Sequence, residues 1–444
     1  MESATRTVLS NGLVVLLREV HTAPVATFWI WYRVGSRNEV PGITGISHWV
    51  EHMLFKGTPT IGKGEFSRVI NRHGGSWNGF TWKDFTAYFE TLPAEHIGLG
   101  IRIESDRMRN SLFDAAEVAS ERTVIISERE GAENNPEYAL YEEVEAAAYR
   151  IHAYRHAVIG YKSDLLAMTR DDLVRHYRTY YTPNNAVAVA VGDFDTEVLL
   201  REIREAFEPI PAGPPPPPVR TVEPPQEGER RVMVRRPGGA VPQLQMAFHA
   251  PAAADAEFFP ALLLDGVLSG FKGPGVFGES MGVRSSRLYR ALVEQQLAVD
   301  AGSSFRPTVD PTLFEVSATL RPGVPPDRVE AAVLAELQRL GDEPVQAAEV
   351  EKLRKQARAQ WVYASDGVSR RAVLLGSTEI VADGDYLARF TDRLNAVTPE
   401  AMQGAAARLF SERNRTVGWY VPEDRPAEAS PAQAGPATEA AAHA

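Results

Sequence analysis

A proline-rich stretch near the middle of the chain constrains its fold more than any other feature. It contains the run Pro214–Pro218 and the pair Pro224–Pro225. Because proline fixes φ and has no amide hydrogen, such a stretch cannot continue a helix or a central strand, and it forms a stiff, extended spacer. A chain of 444 residues also exceeds the usual size of a single core. We therefore predict a linker at residues 209–229, between an N-terminal domain at 1–208 and a C-terminal domain at 230–424.

The two predicted domains repeat each other in outline. Thr169 opens a predicted helix that leads to a strand starting after Asn185, and the same arrangement recurs at Thr398 and Asn414. The sequence thus predicts the α+β fold class, with two tandem homologous α/β-sandwich domains in which helices pack on an antiparallel-rich sheet. Residues 425–444 consist largely of Ala, Pro and Glu without an apolar period, which predicts a disordered tail.

Composition excludes several kinds of chemistry and partner. The chain has no cysteine, so disulfides, a thiolate nucleophile and cysteine-bound zinc are ruled out, and any metal must be held by His, Asp or Glu. The net charge of −11 argues against nucleic acid or an anionic membrane as the main partner. No apolar run approaches the roughly 18 residues of a spanning helix, and residues 1–6 lack the apolar core of a signal peptide. We expect a cytoplasmic protein, or a periplasmic one if a signal peptide has been removed.

A short motif in the first domain carries the strongest chemical signal. His48, Glu51 and His52 form the pattern H-x-x-E-H. On a helix, His48 and His52 share one face and Glu51 lies beside His52. Two imidazoles can fill two corners of a tetrahedral zinc site, and a neighbouring carboxylate can take a proton from a water molecule. A catalytic zinc usually has a third protein ligand. Glu128 and Glu121 share a face of a later predicted helix, so one could bind the metal while the other supports the site.

These segments together resemble the pitrilysin/insulinase family of zinc peptidases, in its mitochondrial-processing-peptidase-like branch. The resemblance rests on H-x-x-E-H, on the spacing to the two glutamates, and on residues 74–88 and 152–160, and it extends over about residues 5–424. It implies one Zn²⁺ per chain on His48, His52 and Glu128.

The same resemblance assigns roles to the remaining site residues. Glu51 would be the general base, and Glu121 a supporting carboxylate of the catalytic site. An extended peptide substrate would pair with the strand segment formed by Asn78, Gly79, Phe80 and Thr81.

The second domain departs from the family pattern. The family usually carries an Arg and a Tyr after a Ser-Arg-Leu sequence, where they bind substrate carbonyls and the developing oxyanion. Here the corresponding positions are Leu292 and Val299, or Val293 in a second alignment, and none of these side chains can donate a hydrogen bond. The resemblance therefore implies the zinc-bearing subunit of a two-chain bacterial enzyme. A homologous subunit would supply Arg and Tyr, although a homodimer is also possible.

Two alternatives remain open at the level of sequence. The chain could be a non-catalytic core or scaffold subunit of a larger assembly, although the intact set of metal-binding residues argues against this. It could also be a peptide carrier that uses the edge strand without cleaving the peptide, an interpretation less favoured than the scaffold.

The glycine-rich segment Ser269–Gly278 lacks the spacing of a phosphate-binding loop. It is predicted to be either a mobile surface loop or a flexible flap that helps to admit substrate.

Overall fold

The computed structural model of the chain describes residues 4–237, 241–278, 283–382 and 384–423, so the predicted tail at 425–444 lies outside the described residues. The strands are β1 Thr5–Val8, β2 Val14–Glu19, β3 Val25–Tyr32, β4 Ser76–Thr81, β5 Thr86–Pro93, β6 Ala186–Gly192, β7 Arg230–Pro237, β8 Gln243–Ala250, β9 Ala298–Ser304, β10 Thr312–Leu320 and β11 Arg415–Glu423. The first-half helices are α1 Ile46–Met53, α2 Glu65–Arg72, α3 Ile97–Asn110, α4 Ala115–Glu133, α5 Pro136–Ala148, α6 Lys162–Ala167, α7 Arg170–Tyr180 and α8 Thr196–Phe207. The second-half helices are α9 Phe258–Ser269, α10 Pro326–Asp342, α11 Ala347–Ala364, α12 Val368–Val381, α13 Tyr386–Ala396 and α14 Pro399–Leu409.

The strands form two sheets that repeat one arrangement. The first sheet has the order β1-β2-β6-β3-β5-β4 and the second has the order β7-β11-β8-β10-β9. In each sheet one neighbouring pair is parallel, β2 with β6 and β7 with β11, and the other pairs are antiparallel. Thr169 and Thr398 both cap the helix before the corresponding strand, as the repeat predicted. The predicted α+β class with two homologous sheet-and-helix units is confirmed.

Each half contributes one helix to the sheet of the other half. Helix α12 lies on β3 and β6 of the first sheet, and α5 lies on β7, β8 and β11 of the second. The contacts are close, because a Cβ added at Gly376 would lie 2.1 Å from Nε1 of Trp31, and one added at Gly418 would lie 2.2 Å from Cγ2 of Val144. The two halves are therefore interlocked through their cores.

The segment between α8 and β7, residues 208–229, contains no helix or strand. This is where the proline-rich linker was predicted, and the domain boundaries stay a prediction. None of the helices in the described ranges combines the length and apolar character needed to cross a membrane.

Candidate metal centre

The motif lies on α1, whose first turn is fixed by a buried carboxylate. Gly45 precedes the helix with a left-handed φ of 87°, a conformation that glycine adopts without strain. The amides of Gly45 and Ser47 donate to the two oxygens of Glu39 at 2.8 and 2.9 Å. His156 contacts the same carboxylate through Nε2 at 2.9 Å. The negative charge stabilises the positive end of the helix and satisfies amides that the helix leaves without partners.

Three potential metal ligands converge between α1 and α4. His48 and His52 lie one turn apart with ring centroids separated by 4.6 Å. Oε2 of Glu128 lies 3.9 Å from Nε2 of His48 and 3.7 Å from Nε2 of His52. The three ligand atoms all lie within 4.8 Å of one another. The structure thus brings together the three residues that the sequence predicted from spacing and resemblance.

The donor set fits a zinc ion. Zinc–nitrogen and zinc–oxygen bonds of about 2.1 Å in a tetrahedron place neighbouring ligand atoms roughly 3.4 Å apart. The observed carboxylate–imidazole distances of 3.7 and 3.9 Å exceed this by only a few tenths of an ångström. The side chain of Glu128 is 50% exposed and can rotate to close the difference. Burial, and then the neighbouring His52, lower the pKa of His48 to about 3, so its ring is neutral and able to act as a ligand.

Glu121 orients the second histidine. Its Oε2 lies 3.0 Å from Nδ1 of His52, so an Nδ1–H donates to the carboxylate and Nε2 presents its lone pair toward Glu128. Its other oxygen contacts the ammonium group of Lys56. Burial raises the pKa of Glu121, but the hydrogen bonds from Lys56 and His52 outweigh this effect and hold the pKa below its usual value. Sequence reasoning missed Lys56. Its position four residues after His52, just beyond the last residue of α1 at Met53, is the signal that could have revealed it.

Glu51 lies beside the three ligands and is nearly buried. The residue is 7% exposed, and its Oε2 accepts a hydrogen bond from the hydroxyl of Thr81 at 3.1 Å. Burial raises the pKa of Glu51 to about 7. A carboxylate with this environment, adjacent to the ligand cluster, is placed to exchange protons with a group bound there.

The segment predicted to bind peptide is the edge strand β4. Among the described residues, β4 pairs only with β5, so its outer backbone groups are unpaired by the sheet. Alternation places Gly79 and Thr81 on the face toward α1, whereas Asn78 and Phe80 lie on the opposite face. Thr81 therefore supports Glu51 through its side chain, and Asn78 is exposed away from the metal ligands. Contact of these four residues with substrate stays a prediction.

The second half offers no hydrogen-bond donor at the positions that the resemblance singled out. Leu292 is fully buried in the second core, and Val299 is 52% exposed on β9. Arg287, nearby in sequence, forms an ion pair with Glu349 at 2.8 Å. Both alignments therefore lead to apolar side chains, and the neighbouring guanidinium is already engaged.

The fold and the site together define a class of protein, because a duplicated α+β fold carries a His-His-Glu donor set typical of zinc hydrolases. The family model described as "Insulinase (Peptidase family M16)" matches residues 14–162, and that described as "Peptidase M16 inactive domain" matches residues 167–357. The chain belongs to the M16, or insulinase, family of peptidases.

Individual relatives agree with this assignment over most of the chain. The chain is 29% identical to "Zinc protease PqqE" of Helicobacter pylori over 396 residues, 86% of each protein. It is 26% identical to "Mitochondrial-processing peptidase subunit beta" of Blastocladiella emersonii, over 92% of this chain and 86% of the relative. The crystal structure of a protease from Helicobacter pylori superposes with a TM-score of 0.89 at 25% identity, covering 95% of this chain and all of that one.

Proposed function

We propose that this chain is a zinc metalloendopeptidase and acts as the zinc-bearing subunit of a heterodimer. The observation that carries the proposal is the convergence of His48, His52 and Glu128 next to the buried carboxylate of Glu51. The zinc proteases among its relatives support the same chemistry. The substrates would be peptides or unfolded segments, because an extended backbone is needed to pair with the free edge of β4.

Each residue of the site has a defined task in this proposal. A Zn²⁺ ion held by His48, His52 and Glu128 would supply Lewis-acid chemistry for hydrolysis. The carboxylate of Glu51 accepts a proton from the attacking water and delivers it to the nitrogen of the leaving amine. Glu121 keeps Nδ1 of His52 protonated and therefore keeps Nε2 available as a ligand.

The hydroxyl of Thr81 holds Glu51 in place, since its hydrogen bond to Oε2 joins the general base to the peptide-binding edge. The main chain of β4 would hold the peptide through backbone hydrogen bonds, which tolerate many sequences. This strand adjoins the ligand cluster, so a bound peptide would run past the reacting groups.

The proposed partner supplies what this chain lacks. Leu292, Val293 and Val299 cannot donate hydrogen bonds to a developing oxyanion, and Arg287 is engaged by Glu349. The relative named as a subunit of a processing peptidase supports a division of labour between two chains. The compensating Arg and Tyr would come from a homologous subunit.

Three measurements test the proposal. Metal analysis of the purified chain should find one zinc per chain. Digestion of an unfolded polypeptide, followed by mass spectrometry, should show internal cleavage that a chelator abolishes. Cleavage should rise when a homologous subunit carrying Arg and Tyr is added. Equal rates with and without that subunit would contradict the heterodimer, whereas zinc binding without any cleavage in either case would favour a non-catalytic scaffold.

A further inference from the structure

An aromatic cluster lies where the second half of the chain meets the edge strand of the first. It is formed by Phe80 at the end of β4, Trp82 in the following turn, and Phe277 from the glycine-rich segment. The ring centroid of Phe277 lies 5.4 Å from that of Phe80 and 6.1 Å from that of Trp82. Phe277 is 38% exposed and the other two residues are half-buried, so the cluster retains accessible apolar surface.

The segment that carries Phe277 is anchored in the structure. The neighbouring Val276 is 1% exposed and belongs to the apolar core beneath the first sheet. Its carbonyl accepts a hydrogen bond from Nη1 of Arg306 at 2.8 Å, and the carbonyl of Pro274 accepts one from the hydroxyl of Tyr386 at 3.3 Å. The part of the segment that the structure describes is thus held against the sheet, and Phe277 forms a fixed wall beside β4 rather than a flap.

The geometry of a strand places this wall next to a bound peptide. Side chains of a peptide that adds to β4 alternate between the two faces of the sheet. On one face they would lie beside Gly79 and Thr81, on the side of Glu51. On the other face they would lie beside Asn78 and Phe80, and the side chain next to Phe80 would contact the aromatic cluster.

We propose that Phe80, Trp82 and Phe277 form an apolar subsite that selects peptides carrying an aromatic or large aliphatic side chain at one position. The rings of Phe80 and Phe277 meet edge to face at an interplanar angle of 90°, and Phe80 also contacts Trp29, Trp31 and Phe85. Phe277 is the most exposed of the three proposed residues, so its outer surface is the part that a peptide side chain would meet first. The inference rests on the proposed function, because it requires a peptide held along β4. It adds the class of side chain that determines specificity, and it assigns that specificity to both halves of the chain.

A binding experiment with a non-cleaving variant tests the subsite. The zinc-loaded Glu51→Gln protein is titrated with fluorescein-labelled peptides of twelve Ser, Thr and Gly residues in which one Phe is moved through successive positions. The peptide with Phe at one of these positions should bind more tightly than the all-polar peptide. Adding Phe277→Ala should weaken the binding of that peptide about tenfold and leave the binding of the all-polar peptide unchanged. Phe277→Leu should retain part of the preference.

The control is Val362→Ala, which removes a side chain that is 64% exposed on α11. This substitution should change the affinity for neither peptide. Thermal unfolding should show that the Phe277→Ala and Val362→Ala proteins are both folded. Unchanged affinity of the preferred peptide for Phe277→Ala, or an equal loss for both peptides, overturns the subsite while the proposed peptidase stands. Failure of every peptide to bind the zinc-loaded protein overturns the use of β4 as a peptide edge, and the subsite with it. Absence of cleavage by the wild type with a homologous subunit tests the proposed function separately.

Discussion

The contact between Glu121 and His52 makes a quantitative prediction about metal affinity. Glu121 is 5% exposed, and its two oxygens are divided between Nδ1 of His52 and the ammonium group of Lys56. Glu121→Gln keeps the size of the side chain and removes its charge. The amide can still accept from His52, but the attraction that holds the Nδ1–H tautomer is weaker, and Lys56 loses its counter-ion beside the metal ligands.

The expected magnitude follows from the role of such supporting carboxylates. Loss of a group that orients a metal-bound histidine typically weakens metal binding by about 10–100-fold, or about 1.4–2.7 kcal/mol. Glu121 should lie toward the upper end of this range, because both of its oxygens are engaged and the site is nearly buried. Peptide cleavage at saturating zinc should fall less than zinc affinity does.

The assay is a competition titration of the zinc-free protein against a chromophoric chelator. Glu117→Gln is the matched control, since Glu117 lies on the same helix and pairs with the exposed Lys63. It should bind zinc as the wild type does. If Glu121→Gln and Glu117→Gln both retained wild-type zinc affinity, the supporting role of Glu121 would be refuted.

Two further predictions concern the contacts between the halves. Gly376→Ala should lower the free energy of unfolding by about 1–3 kcal/mol, because the new methyl group would meet Trp31. Gly302→Ala should change the free energy of unfolding little, because there is open space around Gly302. Chemical denaturation measures both values. Burial raises the pKa of Asp310, but its hydrogen bonds with His152 and Arg37 outweigh this and lower it from 3.8 to about 2. Because the folded-state pKa is depressed, Asp310 stabilises the fold above pH 4 and this contribution is lost as the pH falls from about 4 to about 2. Asp310→Asn should therefore flatten the loss of stability in that window, and Asp171→Asn, with a side chain 86% exposed, should leave it unchanged.

Local periodicity explains why much of the site could be predicted from the sequence. His48 and His52 share a face because a helix repeats every 3.6 residues, and Glu121 and Glu128 share one because seven residues complete nearly two turns. The two-fold repeat was also predictable from local signals, because the helix start at Thr169 and the strand after Asn185 recur at Thr398 and Asn414. The third ligand required the family spacing, since helical periodicity within one segment does not show which distant helix will face α1.

Contacts between distant parts of the chain lay beyond such reasoning. Glu39 and His156 support the first turn of α1 from positions 117 residues apart. The exchange of α5 and α12 between the sheets depends on close packing at Gly376 and Gly418, which a linear pattern of apolar residues does not specify. The meeting of Phe277 with Phe80 likewise depends on how the halves dock.

The most direct test of the central claim compares the wild type with Glu51→Gln. Both proteins are loaded with one zinc per chain, combined with a homologous subunit carrying Arg and Tyr, and incubated with an unfolded polypeptide, and products are identified by mass spectrometry. The account predicts internal cleavage by the wild type and none above background by Glu51→Gln, with equal zinc content. Cleavage by Glu51→Gln at the wild-type rate would contradict the assignment of the general base.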